Sequence, residues 1–368
     1  MRILIDYRPA LRQRTGVGEY AHELAAALTT ILRPPDSLVL FSSSWKDRLM
    51  PGVVPGVPVV DARVPVTVLN LIWHRLGWPP VESIAGDVDV AHSMHPLLMP
   101  ARAAAQVVTV HDLYFLDQPA SAAAEIRRDY PALAADHARR ADLVIAVSEY
   151  TASLVARRLA VDPDRIVICS PAAPPWVAVD RPPATGPILF MGTIEPRKNV
   201  TVLLRAYGEL VERRPDAPPL VLAGKVAPSC QDVLKAIERP PLAGRVRAVG
   251  YVSGADRERH YREASMLVMP SLDEGFGMPA LEAMTIGIPV VASDRGALPE
   301  VVGDGGLLVD PEDSGALAAA MDRVLANREL ALRLSESGKH RAAGFTWRAS
   351  ATRLLDGYRV AVERRQRR

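Results

Sequence analysis

The sequence has only two cysteines in 368 residues, Cys169 and Cys230, far apart along the chain. They supply neither a disulfide framework nor a CxxC metal site, so a reducing cytoplasm is the expected compartment. It also has almost no charge imbalance, with 44 basic against 42 acidic residues and a formal net charge of +2. Without an electrostatic excess, nucleic acid is not expected as a partner. No apolar stretch reaches the ~18 residues that a helical bilayer crossing needs. The longest candidate, Val64 to Trp73, is too short and contains Pro65, Thr67 and Asn70. The opening MRILIDYRPA lacks the apolar run of a secretion signal, because Asp6 and Arg8 interrupt it. No periodic repeat and no coiled-coil heptad is visible.

What is present is the composition of a globular protein: 49% hydrophobic and 23% charged residues. At about 150 residues per domain, the length implies two cores. Short runs rich in Val, Ile and Leu recur at Arg2–Ile5, Ser37–Ser42, Val57–Val60, Val88–His92, Gln106–Val110, Leu143–Val147 and Ile166–Ser170. Apolar on every residue rather than alternate ones, they predict strands buried on both faces, the signature of parallel sheets. Helical patterns such as Val17–Thr30 and Ala122–Arg140 lie between them. A stretch crowded with proline follows, Ser170 to Pro187, which suits neither a ladder nor a helix interior and reads as a linker. The alternation then restarts, with strands predicted at Pro187–Met191, Pro219–Ala223, Val246–Gly250, Met266–Pro270, Pro289–Ala292 and Gly306–Val309. The expected architecture is α/β: two facing Rossmann-like, doubly wound domains, with a ligand at the carboxyl ends of the strands.

Four clusters carry the polar chemistry. In MPSLDEGFGMPALEAMTIGIPVVASDRGALPEVV, Met269 to Val302, a strand gives way to a loop with Glu274, Gly275, Phe276 and Gly277. Pro279 suits the first turn of the next helix and Gly287 its end. A helix start offers free N–H groups and partial positive charge to a phosphate, and glycines let backbone approach a ligand. Glu274 and Glu282 bracket the turn, and carboxylates accept hydrogen bonds from neighbouring sugar hydroxyls. Spacing alone fits equally well a loop residue and a solvated helix face. The second cluster, FMGTIEPRKN, sets Glu195, Arg197 and Lys198 after a strand, where cations suit a diphosphate; an exposed charged loop fits as well. In the third, VVTVHDLYFL, His111 and Asp112 end a strand, for recognition, proton transfer or strand capping. In the fourth, Gly16 and Gly18 open the first helix. A GxG alone is weak, and Ala21 stands at the sixth position of GxGxxG, which disfavours a nicotinamide-binding fold.

Together the clusters resemble a family 4 retaining glycosyltransferase of the GT-B fold, from Met1 to about Tyr358, and within it bacterial polysaccharide mannosyltransferases. The specific motif is E-x7-E, Glu274 to Glu282 within DEGFGMPALEA, followed by GIPVVASDRGALPEVVGDGG. The resemblance implies an acceptor-side domain, residues 1–178, joined by a returning tail helix at 354–368, and a nucleotide-sugar domain, residues 179–353. It implies that Glu274 holds hydroxyls of the donor sugar and that backbone at Gly275, Phe276, Gly277 and Met278 meets sugar and diphosphate. Glu282 would hold the ribose, Lys198 the diphosphate, and Tyr251 and Val252 would lie near the base. Gly16 and Gly18 would approach the diphosphate, and His111 would lie beside the transferred sugar. Many relatives read Gly-Arg where this sequence has Gly192–Thr193, so Arg197 is the candidate for the missing charge.

The implied reaction moves a hexose, mannose from GDP-mannose, to a glycan or polyprenyl-linked acceptor with retention of configuration. The alternatives are a UDP-sugar donor, an epimerase or phosphorylase of the same fold, and a non-catalytic nucleotide-sugar binder. No cofactor and no metal are expected, since Asp87-Val88-Asp89 precedes a strand rather than ending one. Acceptor choice would lie in Val64–Trp78 and Tyr114–Ala123. The tail, with Leu354, Leu355, Tyr358 and Val362, reads as a docked helix whose basic end, Arg364 to Arg368, is solvated or meets anionic lipid. Peripheral contact at the inner face of the membrane is left open.

Overall fold

All thirteen predicted apolar runs form strands, and every strand pairs in parallel. The computed structural model describes residues 1–11, 16–117 and 124–367, with the side chains of residues 124–130 excepted. Ala122 and Ala123, expected in a helix and in an acceptor loop, lie outside the described residues. The chain divides into two compact units, Met1–Pro171 with Thr346–Arg368, and Ala172–Phe345. The division expected at residue 178 thus falls at Pro171, and the return expected at residue 354 falls at Thr346. The proline-rich stretch up to Pro187 forms no helix or strand. It belongs to the second unit because backbone bonds hold it there: Val179 N–H donates to Ile286 O at 2.8 Å, and Arg262 donates to Val177 O at 2.7 Å.

The first unit is a seven-stranded sheet of β1 (Arg2–Asp6), β2 (Ser37–Ser42), β3 (Val59–Asp61), β4 (Val90–Ser93), β5 (Ala105–Val110), β6 (Leu143–Ala146) and β7 (Ile166–Ile168), in the order β3-β2-β1-β4-β5-β6-β7. Strands β4, β5 and β6 are buried along their whole length, as their uninterrupted apolar sequences require. The helix Val17–Ile31 buries Tyr20, Leu24 and Leu28, one residue per turn on a single face. The final helix, Trp347–Gln366, starts at Thr346, whose hydroxyl accepts from Ala349 N–H, and packs into this unit along Ser350, Leu354, Tyr358 and Ala361. The tyrosine Oη lies 2.6 Å from His92 Nδ1 on β4, and Ser350 Oγ donates to Ser170 O at 2.6 Å. Each fully buried large side chain of this helix contributes about 2 kcal/mol of transfer free energy, which holds the tail in place.

The second unit is a six-stranded sheet of β8 (Ile188–Met191), β9 (Leu220–Ala223), β10 (Val246–Gly250), β11 (Met266–Met269), β12 (Val290–Ser293) and β13 (Gly306–Val309), in the order β10-β9-β8-β11-β12-β13. The helix Val200–Arg213 buries Val200, Leu203, Tyr207 and Leu210 against it. In both sheets the first strand lies between the second and the fourth. The crossovers therefore reverse direction between β1 and β4 and between β8 and β11, and such reversal points open a crevice beyond the strand ends. No helix among the described residues is long and apolar enough to cross a membrane.

Candidate functional site

The second unit places its charges at the reversal point. After β8 the chain turns through Gly192 and the exposed Thr193, and forms a short 3-10 turn over Pro196–Lys198. Asn199 ends the turn in left-handed geometry, and its side-chain amide donates to Pro270 O at 3.2 Å and Pro311 O at 2.8 Å. Those bonds tie the turn to the end of β11, and Leu272 N–H donates to Arg197 O at 2.8 Å. The consequence is an ion cluster between residues 76 apart in sequence: Lys198 Nζ lies 2.5 Å from Glu274 Oε1. Arg197 Nη1 donates to Glu274 Oε2 at 2.9 Å, and Ser271 Oγ donates to Oε1 at 2.7 Å. Arg197 also bonds Asp273 O at 3.0 Å and the Glu195 carboxylate at 3.0 and 3.2 Å. Glu274 and Lys198 are only 5% and 9% exposed. Burial pushes the Glu274 carboxyl up, but Lys198 and then Arg197 outweigh it and hold its pKa at about 2. The carboxylate is therefore ionised at neutral pH.

Two glycines build the turn beyond it. Gly277 precedes the helix Met278–Ile286 with φ of 101°, a conformation costly for any side chain, and Pro279 occupies the first turn. No side chain caps this helix start, which leaves its backbone dipole directed at the loop. Gly296, after β12, has φ of 64° and faces the Glu274 backbone with no room for a side chain. A Cβ there would stand 2.6 Å from Glu274 N and 2.7 Å from Glu274 O. Ala297 N–H donates to Glu274 O at 2.9 Å, and Ser293 Oγ donates to Ser271 O at 2.6 Å, so the loop after β12 braces the one carrying Glu274. Phe276 packs edge-on against Phe345, with ring centroids 5.5 Å apart.

Glu282 lies in that helix, 1% exposed, and does not join the Glu274 cluster. It pairs instead with Arg257 of the helix Gly254–Glu263, Nε to Oε2 at 2.9 Å, with a second contact from Nη2 to Oε1. The Arg257 guanidinium also lies 5.7 Å from the Trp176 ring centroid. Tyr251 and Val252 follow β10; Tyr251 is exposed, with Lys225 Nζ 5.0 Å from its ring centroid.

In the first unit Gly16 precedes the helix Val17–Ile31 and Gly18 is buried in its first turn. His111 follows β5. Its Nε2 lies 3.1 Å from Met94 O, a carbonyl, which assigns the proton to Nε2, and the Tyr20 ring meets it edge-on at 5.1 Å. Burial pushes its pKa down to about 4, against smaller opposing effects from Met94 O and Asp112, so the imidazole is neutral at pH 7. The reversal point of this unit holds a group that the sequence reading passed over. Asp6, buried at the end of β1, takes Arg8 Nε at 2.8 Å and Nη2 at 2.7 Å, and His95 Nε2 lies 3.3 Å away. Arg8 Nη1 donates to Asn70 Oδ1 at 2.9 Å. Burial alone raises the Asp6 pKa, yet Arg8 and His95 together hold it below the usual carboxylate range. Among the described residues, no three His, Cys, Asp or Glu side chains converge as metal ligands.

Known proteins match both units. The profile of the family described as "Glycosyl transferases group 1" matches residues 181–341, and that described as "Glycosyltransferase Family 4" matches residues 14–174. O-antigen chain mannosyltransferase B of Escherichia coli is 29% identical over 98% of this chain and 100% of its own. D-inositol 3-phosphate glycosyltransferase 2 of Catenulispora acidiphila is 32% identical over 78% of this chain and 69% of its own. Among solved structures, sucrose-phosphate synthase from Thermosynechococcus elongatus superposes with a TM-score of 0.75 at 22% identity, over 98% of both chains. That likeness identifies the fold as GT-B.

Proposed function

The chain belongs to glycosyltransferase family 4, and on that premise we propose that it transfers a hexose from a nucleotide sugar to a glycan or lipid-linked glycan, with retention of anomeric configuration and without a divalent metal. The donor proposed is GDP-mannose, supported by the full-length similarity to a mannosyltransferase of O-antigen chains. The observation that carries the reading is the buried Glu274 held by Lys198 and Arg197 beside an uncapped helix start. It joins, within one unit, a hydroxyl-binding carboxylate, two cations for a diphosphate and backbone dipoles oriented toward it.

In this reading the bond between the sugar's anomeric carbon and the diphosphate oxygen breaks, and its electron pair stays on the diphosphate. Lys198, Arg197 and the start of the helix Met278–Ile286 stabilise that charge. Lys198 has three N–H donors and Arg197 five, so both can hold Glu274 and still meet phosphate oxygens. Glu274 orients the sugar through its hydroxyls, and Glu282, fixed by Arg257, holds the ribose. The acceptor hydroxyl attacks from the face that the diphosphate leaves, and its proton passes to the departing phosphate oxygen. Neutral His111 supplies a hydrogen-bonding ring rather than a charge.

The test is a panel of nucleotide sugars assayed with and without chelator, followed by NMR of the product. GDP-mannose should bind and be consumed, the rate should survive chelator, and the product should keep the donor's anomeric configuration. Inversion would overturn the mechanism, and a preferred UDP-sugar would overturn the donor assignment.

A further inference from the structure

Six of the twelve large hydrophobic side chains exposed among the described residues fall between Trp45 and Trp78, less than a tenth of the chain. They are Trp45, Met50, Val68, Leu71, Leu76 and Trp78, and Trp45, Leu76 and Trp78 are each more than 60% exposed. The helix Val66–Leu76 shows why they are not core. It already has an inward face: Leu69 and Trp73 are buried, and Trp73 stacks on Phe41 at 5.7 Å. Val68, Leu71 and Arg75, at i, i+3 and i+7, make the opposite face. At its start, Ser43 Oγ donates to Val64 O at 2.7 Å, which brings the loop carrying Trp45 alongside. At its end, Trp73 Nε1 donates to Pro79 O at 3.0 Å, which fixes the turn carrying Trp78. The loop carrying Trp45 and the turn carrying Trp78 therefore flank the two ends of this helix in the first unit.

The charges of this region are mostly basic: Lys46, Arg48, Arg63 and Arg75 against Asp47 and Asp61. From Ala62 to Val81 the sequence contains no Asp or Glu, while Arg63 and Arg75 are exposed, and Lys46 stands exposed beside Trp45. The acids of the segment are Asp47 and Asp61, and Asp61 accepts a bond from Arg48 at 2.5 Å. Indole rings and aliphatic side chains with cations among them match the boundary of an anionic bilayer, where apolar depth and phosphate charge lie a few ångströms apart. A protein partner would have to supply a separate acid for each cation, whereas a lipid headgroup layer presents phosphate across its whole plane. We propose that this face seats on an anionic lipid surface, with Trp45, Leu71 and Trp78 inserted and Lys46, Arg63 and Arg75 against lipid phosphates. The proposal does not depend on the transfer reading, and its measurements involve no turnover.

The experiment is co-sedimentation of the full chain with phosphatidylglycerol–phosphatidylcholine vesicles and with pure phosphatidylcholine vesicles, with tryptophan emission recorded alongside. Binding to the anionic vesicles with a blue shift is expected. A double variant, Leu71→Asp with Trp78→Asp, should weaken partitioning by at least about tenfold while keeping the wild-type circular dichroism, since both sites are exposed. Arg63→Gln with Arg75→Gln should weaken binding to anionic vesicles and make it less salt-sensitive. Arg364→Gln with Arg365→Gln, at the basic end of the final helix, should bind as wild type. Failure of the wild-type chain to bind anionic vesicles would overturn the proposal, as would loss of binding only in the tail variant. A wild-type dimer that the Leu71/Trp78 variant splits would do so too, by making the face a contact between copies.

Discussion

Replacing Gly296 with alanine tests the central geometry without removing a charged group, although the new methyl would also stand 3.1 Å from Asp273 Oδ1. Gly296 sits at φ of 64°, and its added methyl would meet Glu274 N at 2.6 Å and Glu274 O at 2.7 Å. An ordinary carbon contact begins near 3.4 Å, so the Glu274 backbone must retreat by about 0.8 Å. The alanine also adopts a left-handed conformation that costs about 1–2 kcal/mol, and the displaced contact adds an amount of the same order. The stability loss should thus be roughly 2–4 kcal/mol, spread over a unit with an extensive core. The effect on turnover should be larger than that loss alone explains. A shift of about 1 Å at a positioning group costs on the order of 100-fold in rate, and here the shift falls on the residue that Lys198 and Arg197 hold. The assay is steady-state transfer with thermal unfolding of the same preparation, at a temperature where the variant is folded. Wild-type kcat in folded Gly296→Ala protein would refute the claim that the loop after β12 sets the position of Glu274.

Three further outcomes follow from the same geometry. Lys198→Ala should lower kcat at least about tenfold, because it removes a cation from a largely water-excluded cluster, and unchanged turnover would remove the lysine from the reaction. Arg257→Ala leaves the buried Glu282 without its paired cation, so donor KM should rise by about tenfold while kcat changes little; a pure loss of kcat would contradict the ribose role. The Glu274 pKa is lowered from 4.5 to about 2, so its contribution to stability is complete above pH 4.5 and disappears as pH falls towards 2. That difference amounts to roughly 3 kcal/mol, and acid unfolding of wild type should be steeper over this window than that of Glu274→Gln. Parallel acid-unfolding curves would contradict the assignment.

The strands were legible because burial on both faces leaves a local mark, an unbroken apolar run. Strand order leaves none, so the sequence could offer Glu274 and Lys198 as separate candidates but not as partners. Their pairing depends on β8 lying beside β11, which only tertiary structure decides. The E-x7-E spacing sets Glu274 and Glu282 eight residues apart but carries no sign that each carboxylate has its own cations, Lys198 and Arg197 for one and Arg257 for the other. Arg257 was hidden because GADRERHYRE reads as a solvated helix in which no charge stands out. Gly296 stood in plain view within SDRGALPE, but a glycine's φ and the atoms behind it are not written in its neighbours. In the sequence Asp6 and Arg8 stand out only as interruptions of an apolar run, although a buried aspartate at the end of the first strand is a polar-site signal in its own right.

The ion pairs also bear on how a donor would be captured. Arg197 and Lys198 contribute two positive charges, and Glu195 and Glu274, which they contact, contribute two negative ones. The cluster is neutral as it stands, and the whole chain carries only +2. An arriving diphosphate therefore meets little long-range attraction. Its affinity must come from close-range hydrogen bonds, made when Lys198 and Arg197 extend their remaining N–H groups to phosphate oxygens and when the start of the helix Met278–Ile286 supplies backbone N–H groups. Short bonds in a site with little water are poorly screened, whereas long-range steering collapses once the Debye length shrinks. Donor KM should consequently change by less than about threefold between ~0.05 M and ~0.5 M sodium chloride. A Glu195→Gln variant, which leaves one positive charge unbalanced, should lower KM at low salt and lose that advantage at high salt. A steep salt dependence in the wild-type chain would show that the cluster is not neutral towards the donor and that the pairings with Glu195 and Glu274 do not persist in solution.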